Sequence, residues 1–150
     1  RGYFVEGLGG AQFALPGAVE RLRALEDAPE QPLVIATADP AQLYGVGLRW
    51  PDGDARPPAR RPGAQLVTVG GRPALAVQPG GRSLRVLGRP DDVQPALDAL
   101  AGAVRAGRLR RLVIDTIDGE PAATSPLAER LVALGFRRGL HDFALAPGDG

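Results

Sequence analysis

Three kinds of side chain in this sequence could do chemistry: the adjacent pair His141 and Asp142, carboxylates placed at strand ends and turns, and arginines clustered beside aromatic rings. A carboxylate such as Asp142 can activate water or steady a developing cation, given a second group converging on the reacting atoms. On a strand, neighbouring residues point to opposite faces, so His141 and Asp142 would not touch each other there. They then read equally as an ordinary surface pair. Glu6, Asp39, Asp115 and Glu120 lie near strands or turns. Asp118 stands before Gly119 as a turn former, and Asp39 stands before Pro40 as a turn cap.

The arginine clusters point to different chemistry. Guanidiniums suit bidentate contacts to phosphate, and rings stack on bases. Tyr3, Tyr44 and Trp50 could stack, and Arg49 adjoins Trp50. Arg56, Arg60 and Arg61 follow in a proline-rich stretch; Arg108, Arg110 and Arg111 form another cluster, and Arg137 and Arg138 a third. On a strand over 108–116, Arg108 and Arg110 share one face, opposite Leu109 and Arg111. The candidate nucleic-acid contacts are therefore Tyr3, Tyr44, Arg49, Trp50, Arg108, Arg110, Arg137 and Arg138, with Asp142 the one catalytic candidate. A solvated face is the alternative reading of each cluster.

Composition removes several classes. The 150 residues contain no Cys and one His, so neither disulfides nor a Cys/His metal site can form within the chain. Lys is absent and all 18 basic residues are Arg, which excludes the Gly-Lys-Ser/Thr phosphate loop. Arginine without lysine, with abundant Ala, Gly and Pro, also reads as the coding bias of a GC-rich bacterial genome. The net charge of +1 does not by itself demand a polyanionic partner, so any such surface must come from local placement. No apolar run approaches the ~20 residues that cross a bilayer, and no secretory leader is visible. With no Met, the start reads as a cut inside a longer polypeptide.

The elements that would position these residues follow from pattern. Residues 1–8 and 11–15 read as strands joined through Gly7, Gly9 and Gly10, and Pro16 opens a helix striped by Val19, Leu22 and Leu25. Residues 33–38 read as a buried strand, and 52–63 as an exposed loop. Gly70-Gly71 joins strands 65–69 and 72–77 as a hairpin, and Pro79-Gly80-Gly81 turns into a third strand over 82–87. Pro73 argues for an exposed or irregular start to the second of these. Val93, Ala96, Leu97, Leu100 and Val104 predict a helix over 91–106, capped by Asp91 and ended by Gly107. A strand over 108–116, a turn at Asp118-Gly119 and a short strand over 120–123 follow. Ser125-Pro126 opens the last helix, Gly135 then Phe136 end it in a Schellman turn, and a strand covers 140–145. About eight or nine strands and three helices predict an α+β domain, its sheet mostly antiparallel and curved or barrel-like. A single module over 1–146 with a disordered tail over 147–150 is expected.

The opening stretch, from Arg1-Gly2-Tyr3-Phe4-Val5-Glu6-Gly7-Leu8-Gly9-Gly10 through Ala11-Gln12-Phe13-Ala14-Leu15-Pro16 to Arg23, closely resembles a carboxy-terminal segment of bacterial Lhr (large helicase-related) helicases. Ala38-Asp39-Pro40 with Tyr44-Gly45 and Trp50-Pro51 is similar to a stretch of that family, departing from it at Gln42-Leu43. Gly80-Gly81-Arg82-Ser83-Leu84 and Ser125-Pro126 through Gly135-Phe136 continue the likeness in order. The resemblance implies a β-rich, barrel-like module from an ATP-dependent superfamily 2 DNA helicase, next to a region similar to AlkZ-type DNA glycosylases. ATP and magnesium would belong to RecA-like motor domains elsewhere in the parent, and winged helices would also lie outside these residues. The implied setting is the bacterial cytoplasm.

Three functions are thereby expected. The module holds single-stranded or damaged DNA for upstream winged-helix and RecA-like domains. As an alternative, it completes a uracil-glycosylase pocket with Asp142. As another, it is a structural piece that drives interdomain contact or homo-oligomer assembly.

Overall fold

The computed structural model of the protein describes residues 2–4, 11–26, 28–51 and 57–149. Glu6 and the Gly7, Gly9 and Gly10 bend lie outside these residues, as does Arg56. In chain order the elements are β1 (Gly2–Tyr3), β2 (Gln12–Phe13), α1 (Ala18–Ala24), β3 (Pro32–Ala36), β4 (Gln65–Val69), β5 (Arg72–Val77) and β6 (Ser83–Val86). They continue with α2 (Pro90–Arg105), β7 (Leu112–Ile114), β8 (Thr116–Ile117), β9 (Glu120–Pro121), a 3-10 turn over Ala122–Thr124, α3 (Ala128–Ala133), β10 (Arg137–Arg138) and β11 (Phe143–Leu145). The three helices and the α+β class agree with the sequence expectation.

The main sheet runs β3-β4-β5-β6-β8-β9, a second sheet runs β10-β11-β7, and β1 pairs with β2. Every pairing is antiparallel except β6 with β8. No closed barrel forms among the described residues: β3 and β9 end the main sheet. The turns obey their residues. Gly70 and Gly71 sit at φ 54° and 80°, and Asp118 and Gly119 at 53° and 89°. These left-handed pairs match the twist of the strands they join.

Two expectations are corrected by tertiary pairing. The strand expected over 108–116 is two short strands broken at Asp115, one in each sheet. The Asp115 amide donates to the Arg82 carbonyl (2.8 Å), and its carbonyl accepts from the Ala122 amide (2.8 Å). Both backbone groups are thus satisfied where the chain changes sheets. Pro73, expected near an irregular start, does lie at one: a bulge between Val67 and Thr68 sets Thr68 opposite Pro73. Yet β5 is a central strand and Pro73 is buried, so the bulge is what admits an imide without a donor.

α2 holds the two sheets together. Its buried stripe of Val93, Ala96, Leu97, Leu100, Ala101 and Val104 shares one core with Val67, Leu75, Val77 and Leu84 of the main sheet. The same core includes Ile114, Phe143 and Leu145 of the second sheet and Leu131 and Phe136 of the α3 hairpin. Gly107 (φ 71°) ends the helix, with Arg108 N–H reaching back to the Ala103 carbonyl (3.0 Å). The Schellman turn after α3 forms as predicted: Phe136 N–H donates to Leu131 O (3.0 Å) and Gly135 N–H to Val132 O (2.9 Å). Asp91 does not cap α2, because the helix starts one residue earlier at Pro90, whose missing N–H is harmless there.

Asp92, in the first turn of α2, is the buried carboxylate that α2 brings to the sheet. Arg72 donates to both its oxygens (Nε to Oδ2 3.3 Å, Nη2 to Oδ1 3.1 Å), and Arg89 Nε adds a contact at 3.4 Å. Arg72 also grips both oxygens of Glu30, at 2.7 and 2.8 Å. One guanidinium thus joins the β4–β5 turn, the start of α2 and the segment entering β3. Hydrogen bonds from Arg72, opposed by desolvation, hold the Asp92 carboxyl below its ordinary range. Over 147–149, where fraying is expected, Ala146 N–H donates to Asp149 Oδ2 (2.9 Å), which also lies 3.6 Å from Arg137.

Leu100→Ala, at a fully buried site, will lower the unfolding free energy by about 2–5 kcal/mol in urea denaturation. Asp92→Asn will reduce stability by about 1.5–3 kcal/mol at neutral pH, the range for hydrogen bonds to a charged group. Because the folded Asp92 pKa is depressed, its contribution is complete above the ordinary carboxylate value and disappears as pH falls through the folded one. The gap between wild type and Asp92→Asn, followed by thermal melting, will therefore close as pH is taken below about 4.

Candidate nucleic-acid interface

The polypeptide leaving α2 does not enter a strand at once. Gly107 reverses it, and residues 108–111 are irregular before β7 begins at Leu112. Leu109 packs against the core while Arg108, Arg110 and Arg111 are exposed. Strand alternation does not apply, so Arg111 is not turned away from the other two, as the sequence expectation had it. All three line one groove with Gly63, Gln65, Val77 and the Gly80-Gly81 turn, of about 520 Å³. The absence of a side chain at Gly81 lets the walls approach: a Cβ there would stand 2.9 Å from Leu112 Cδ2, at φ 73°.

The groove is electrostatically one-sided. Among the described residues its charged lining consists of these three arginines, with no carboxylate. Among the described residues, none of the three has an ion-pair partner. Their charge is therefore available to an anion entering from solvent, and a phosphodiester backbone matches guanidinium geometry.

The other predicted residues are placed differently. Arg137 lies 3.6 Å from Asp149; Arg138 is 3.1 Å from Glu129 and sits over the Phe143 ring at 5.6 Å. Both charges are already answered by neighbours. Tyr44 and Trp50 stack on each other, with ring centroids 5.3 Å apart and 30° between planes, and the Tyr44 hydroxyl donates to Gly71 O (3.0 Å). Burial raises the Tyr44 pKa above its ordinary value. Arg49 is exposed beside them. Tyr3 lies in β1, opposite Gln12. The aromatic pair and the arginine groove belong to different parts of the chain, and no described pocket contains both.

The Tyr44 loop is built by a residue that sequence reading passes over. Gln42 is buried; its Nε2 donates to Thr37 O (3.3 Å) and Tyr44 O (3.2 Å), and its Oε1 accepts from the Tyr44 amide. Arg60 pins the same loop, donating to Gln42 O (2.6 Å) and Asp39 O (3.3 Å). Asp39 caps the turn as expected, accepting from the Ala41 amide at 2.8 Å.

Asp142 stands on the turn between β10 and β11, not inside a strand. Its carbonyl accepts from the Gly139 amide (2.8 Å), and a Cβ on Gly139 would collide with its carboxylate. His141 beside it is exposed. Asp115 is paired with Arg82 at 2.5 Å, which raises the Arg82 pKa. Among the described residues no three His, Asp or Glu side chains group as metal ligands, and no helix is long and apolar enough to cross a membrane. With Lys absent as well, the described residues do not fit a nucleotide–magnesium site.

Gly45 adopts φ 82°, and a Cβ there would meet Trp50 Nε1 at 2.9 Å. Gly45→Ala will shift the emission of Trp50, the sole tryptophan, and lower stability by about 1–2 kcal/mol, the cost of a left-handed non-glycine residue. Steady-state fluorescence and melting check both.

Comparison with known proteins places this geometry in a family. A family model described as "Large helicase-related protein, winged-helix domain" matches residues 1–34. That match adds a winged-helix segment to a stretch in which none is expected from the resemblance. A relative from Mycolicibacterium smegmatis, named "Lhr helicase/ probable uracil glycosylase", is 46% identical over 127 residues, 79% of this chain and 8% of the relative. One from Escherichia coli, named "Lhr helicase/uracil glycosylase", is 34% identical over 144 residues, 91% of this chain and 9% of the relative. The chain thus spans under a tenth of the length of these curated relatives. With the order of its motifs and nearly all of its length aligned to them, the chain belongs to the large helicase-related (Lhr) family.

Proposed function

We propose that this stretch is a DNA-contacting module of a longer Lhr protein, and that the groove over 108–112 is where it holds a phosphodiester backbone. The single observation that carries this reading is the cluster of Arg108, Arg110 and Arg111, which line one groove with no carboxylate and no ion-pair partner among the described residues. Paired arginines elsewhere serve the fold; unpaired ones in a concavity attract a polyanion and release its counterions. Contact through phosphate carries no base information, so the module positions a strand and does not read its sequence. The relatives' names, helicase and uracil glycosylase, suit a protein in which a passive strand-holding surface serves other domains. ATP and magnesium then belong to motor domains elsewhere in that protein, and its setting is the bacterial cytoplasm. Asp142 as a glycosylase residue draws no support from its open turn.

In the full-length protein, Arg108→Ala/Arg110→Ala/Arg111→Ala will weaken single-stranded DNA binding. It will also flatten the dependence of log affinity on log salt by up to about 2, at ~0.7 per lost phosphate contact. Arg137→Ala/Arg138→Ala, whose charges are already paired, serves as the control and will leave the slope nearly unchanged. Fluorescence anisotropy across a salt series reads both; an unaltered slope in the triple variant rejects the groove as a DNA contact.

A further inference from the structure

The main sheet has a second face, turned away from the α2 core. Val34, Val67 and Val69 pack into that core, so Leu33, Ile35, Leu66 and Thr68 point the other way. Leu33 stands opposite Thr68 and Ile35 opposite Leu66, so the four make one patch of sheet. The loop from Ala41 to Leu48 meets this patch across a slot of about 180 Å³, with Leu43 and Tyr44 in its wall. Trp50, which stacks on Tyr44, is not part of the lining. The slot is several times the ~30 Å³ share of a water and smaller than the ~300 Å³ at which drug-sized sites begin, so it suits one small ring. Thr68 is only 8% exposed, and its hydroxyl has no hydrogen-bond partner among the described residues. Folded proteins rarely bury a hydroxyl without a partner, because it has given up water for nothing. Gln42 is buried in the same lining, but its amide is spent on the loop itself.

We propose that this slot takes one unstacked base of single-stranded DNA, its ring against Leu66 and Tyr44 and its edge on the Thr68 hydroxyl. The observations favour a base over a side chain of a protein partner. An apolar side chain would fill the space and leave Thr68 unpaired. A base carries donors and acceptors along its edge, and a threonine hydroxyl can give or take a hydrogen bond. That tolerance suits a module that positions a strand without reading it. The lining holds no charged side chain among the described residues, so the ring enters a neutral, apolar space. The charge stands next to it in the chain. Arg49 follows the lining residue Leu48, is exposed, and has no ion-pair partner among the described residues. A ring wall with an unpaired guanidinium alongside matches the base and phosphate of one nucleotide. The choice of DNA rests on the reading of the module as DNA-contacting, whereas the slot rests on Thr68 and not on the arginine groove.

Ultraviolet cross-linking of the full-length protein to an oligothymidylate carrying one iodouracil tests it, since iodouracil couples to an aromatic ring that it touches. Tyr44 lies in the tryptic peptide 24–49, which has no basic residue before Arg49. Mass spectrometry of the wild type will find the adduct on Tyr44 in that peptide. Thr68→Val keeps the shape and loses the hydroxyl; it will lower the adduct yield about two- to tenfold, the worth of one neutral hydrogen bond. Thr68→Ile also pushes an extra carbon into the slot and will lower the yield at least about tenfold. Amide exchange across α2 will match the wild type in both variants, showing that the fold is intact. A yield indifferent to both substitutions overturns the inference. So does a wild type with no adduct in 24–49, the result expected where a side chain of another domain already fills the slot. The salt slope reads the arginine groove and the Tyr44 adduct reads the slot, so a failure of one is distinguishable from a failure of the other.

Discussion

The packing of α2 across two sheets is the contact on which the remaining structure depends. Its apolar stripe packs on β3, β4 and β5 of the main sheet and on β11 of the second, so a single sixteen-residue helix closes one core over both sheets. Removing that apolar surface from water is the dominant favourable contribution, roughly 25 cal/mol per Å². It also fixes where the helix ends. Gly107 must reverse the chain before β7, and the reversal leaves residues 108–111 on the rim of a groove. The arginine cluster is therefore a consequence of helix length and sheet position as much as of the residues themselves.

The hydrophobic layer does not fix the start of the helix by itself. Arg72 does so by binding Asp92 and Glu30 together. A buried carboxylate without such a partner would be destabilising, so Asp92 and Arg72 act as a unit. Several other cations have comparable structural tasks. Arg60 holds the Gln42 loop, Arg82 pairs with Asp115 at the break between sheets, and Arg105 donates to the Leu134 carbonyl at the end of α3. Against that background the unpaired state of Arg108, Arg110 and Arg111 is informative. A net charge of +1 conceals it, because seventeen acidic residues balance eighteen arginines overall but not locally.

The family match and the main sheet meet at one segment. Residues 1–34 belong to a winged-helix model, and β3, beginning at Pro32, already belongs to the main sheet. The match ends close to the segment that Arg72 grips through Glu30. The sequence expectation of one module over 1–146 reflects the continuous likeness to Lhr proteins, which runs past the end of that match without a break. No composition shift marks it: Ala28-Pro29-Glu30-Gln31-Pro32 reads as an ordinary helix-ending stretch.

Local geometry was legible in the residues because few conformations satisfy them. Gly70-Gly71 and Asp118-Gly119 reach left-handed backbone, Gly135 then Phe136 terminate a helix in one way, and the spacing of Val93, Leu97, Leu100 and Val104 admits only a helix with one buried face. The family was legible too. What lay beyond the sequence was every relation between distant segments. The parallel pairing of β6 with β8, the break at Asp115, the bulge that accommodates Pro73 in a central strand and the mutual stacking of Tyr44 and Trp50 are each decided by what packs opposite. The same holds for the candidate site: three arginines within four residues announce charge, but only the folded chain decides that they share one groove, because a side chain's direction follows the backbone beneath it and that backbone is set by its neighbours in space.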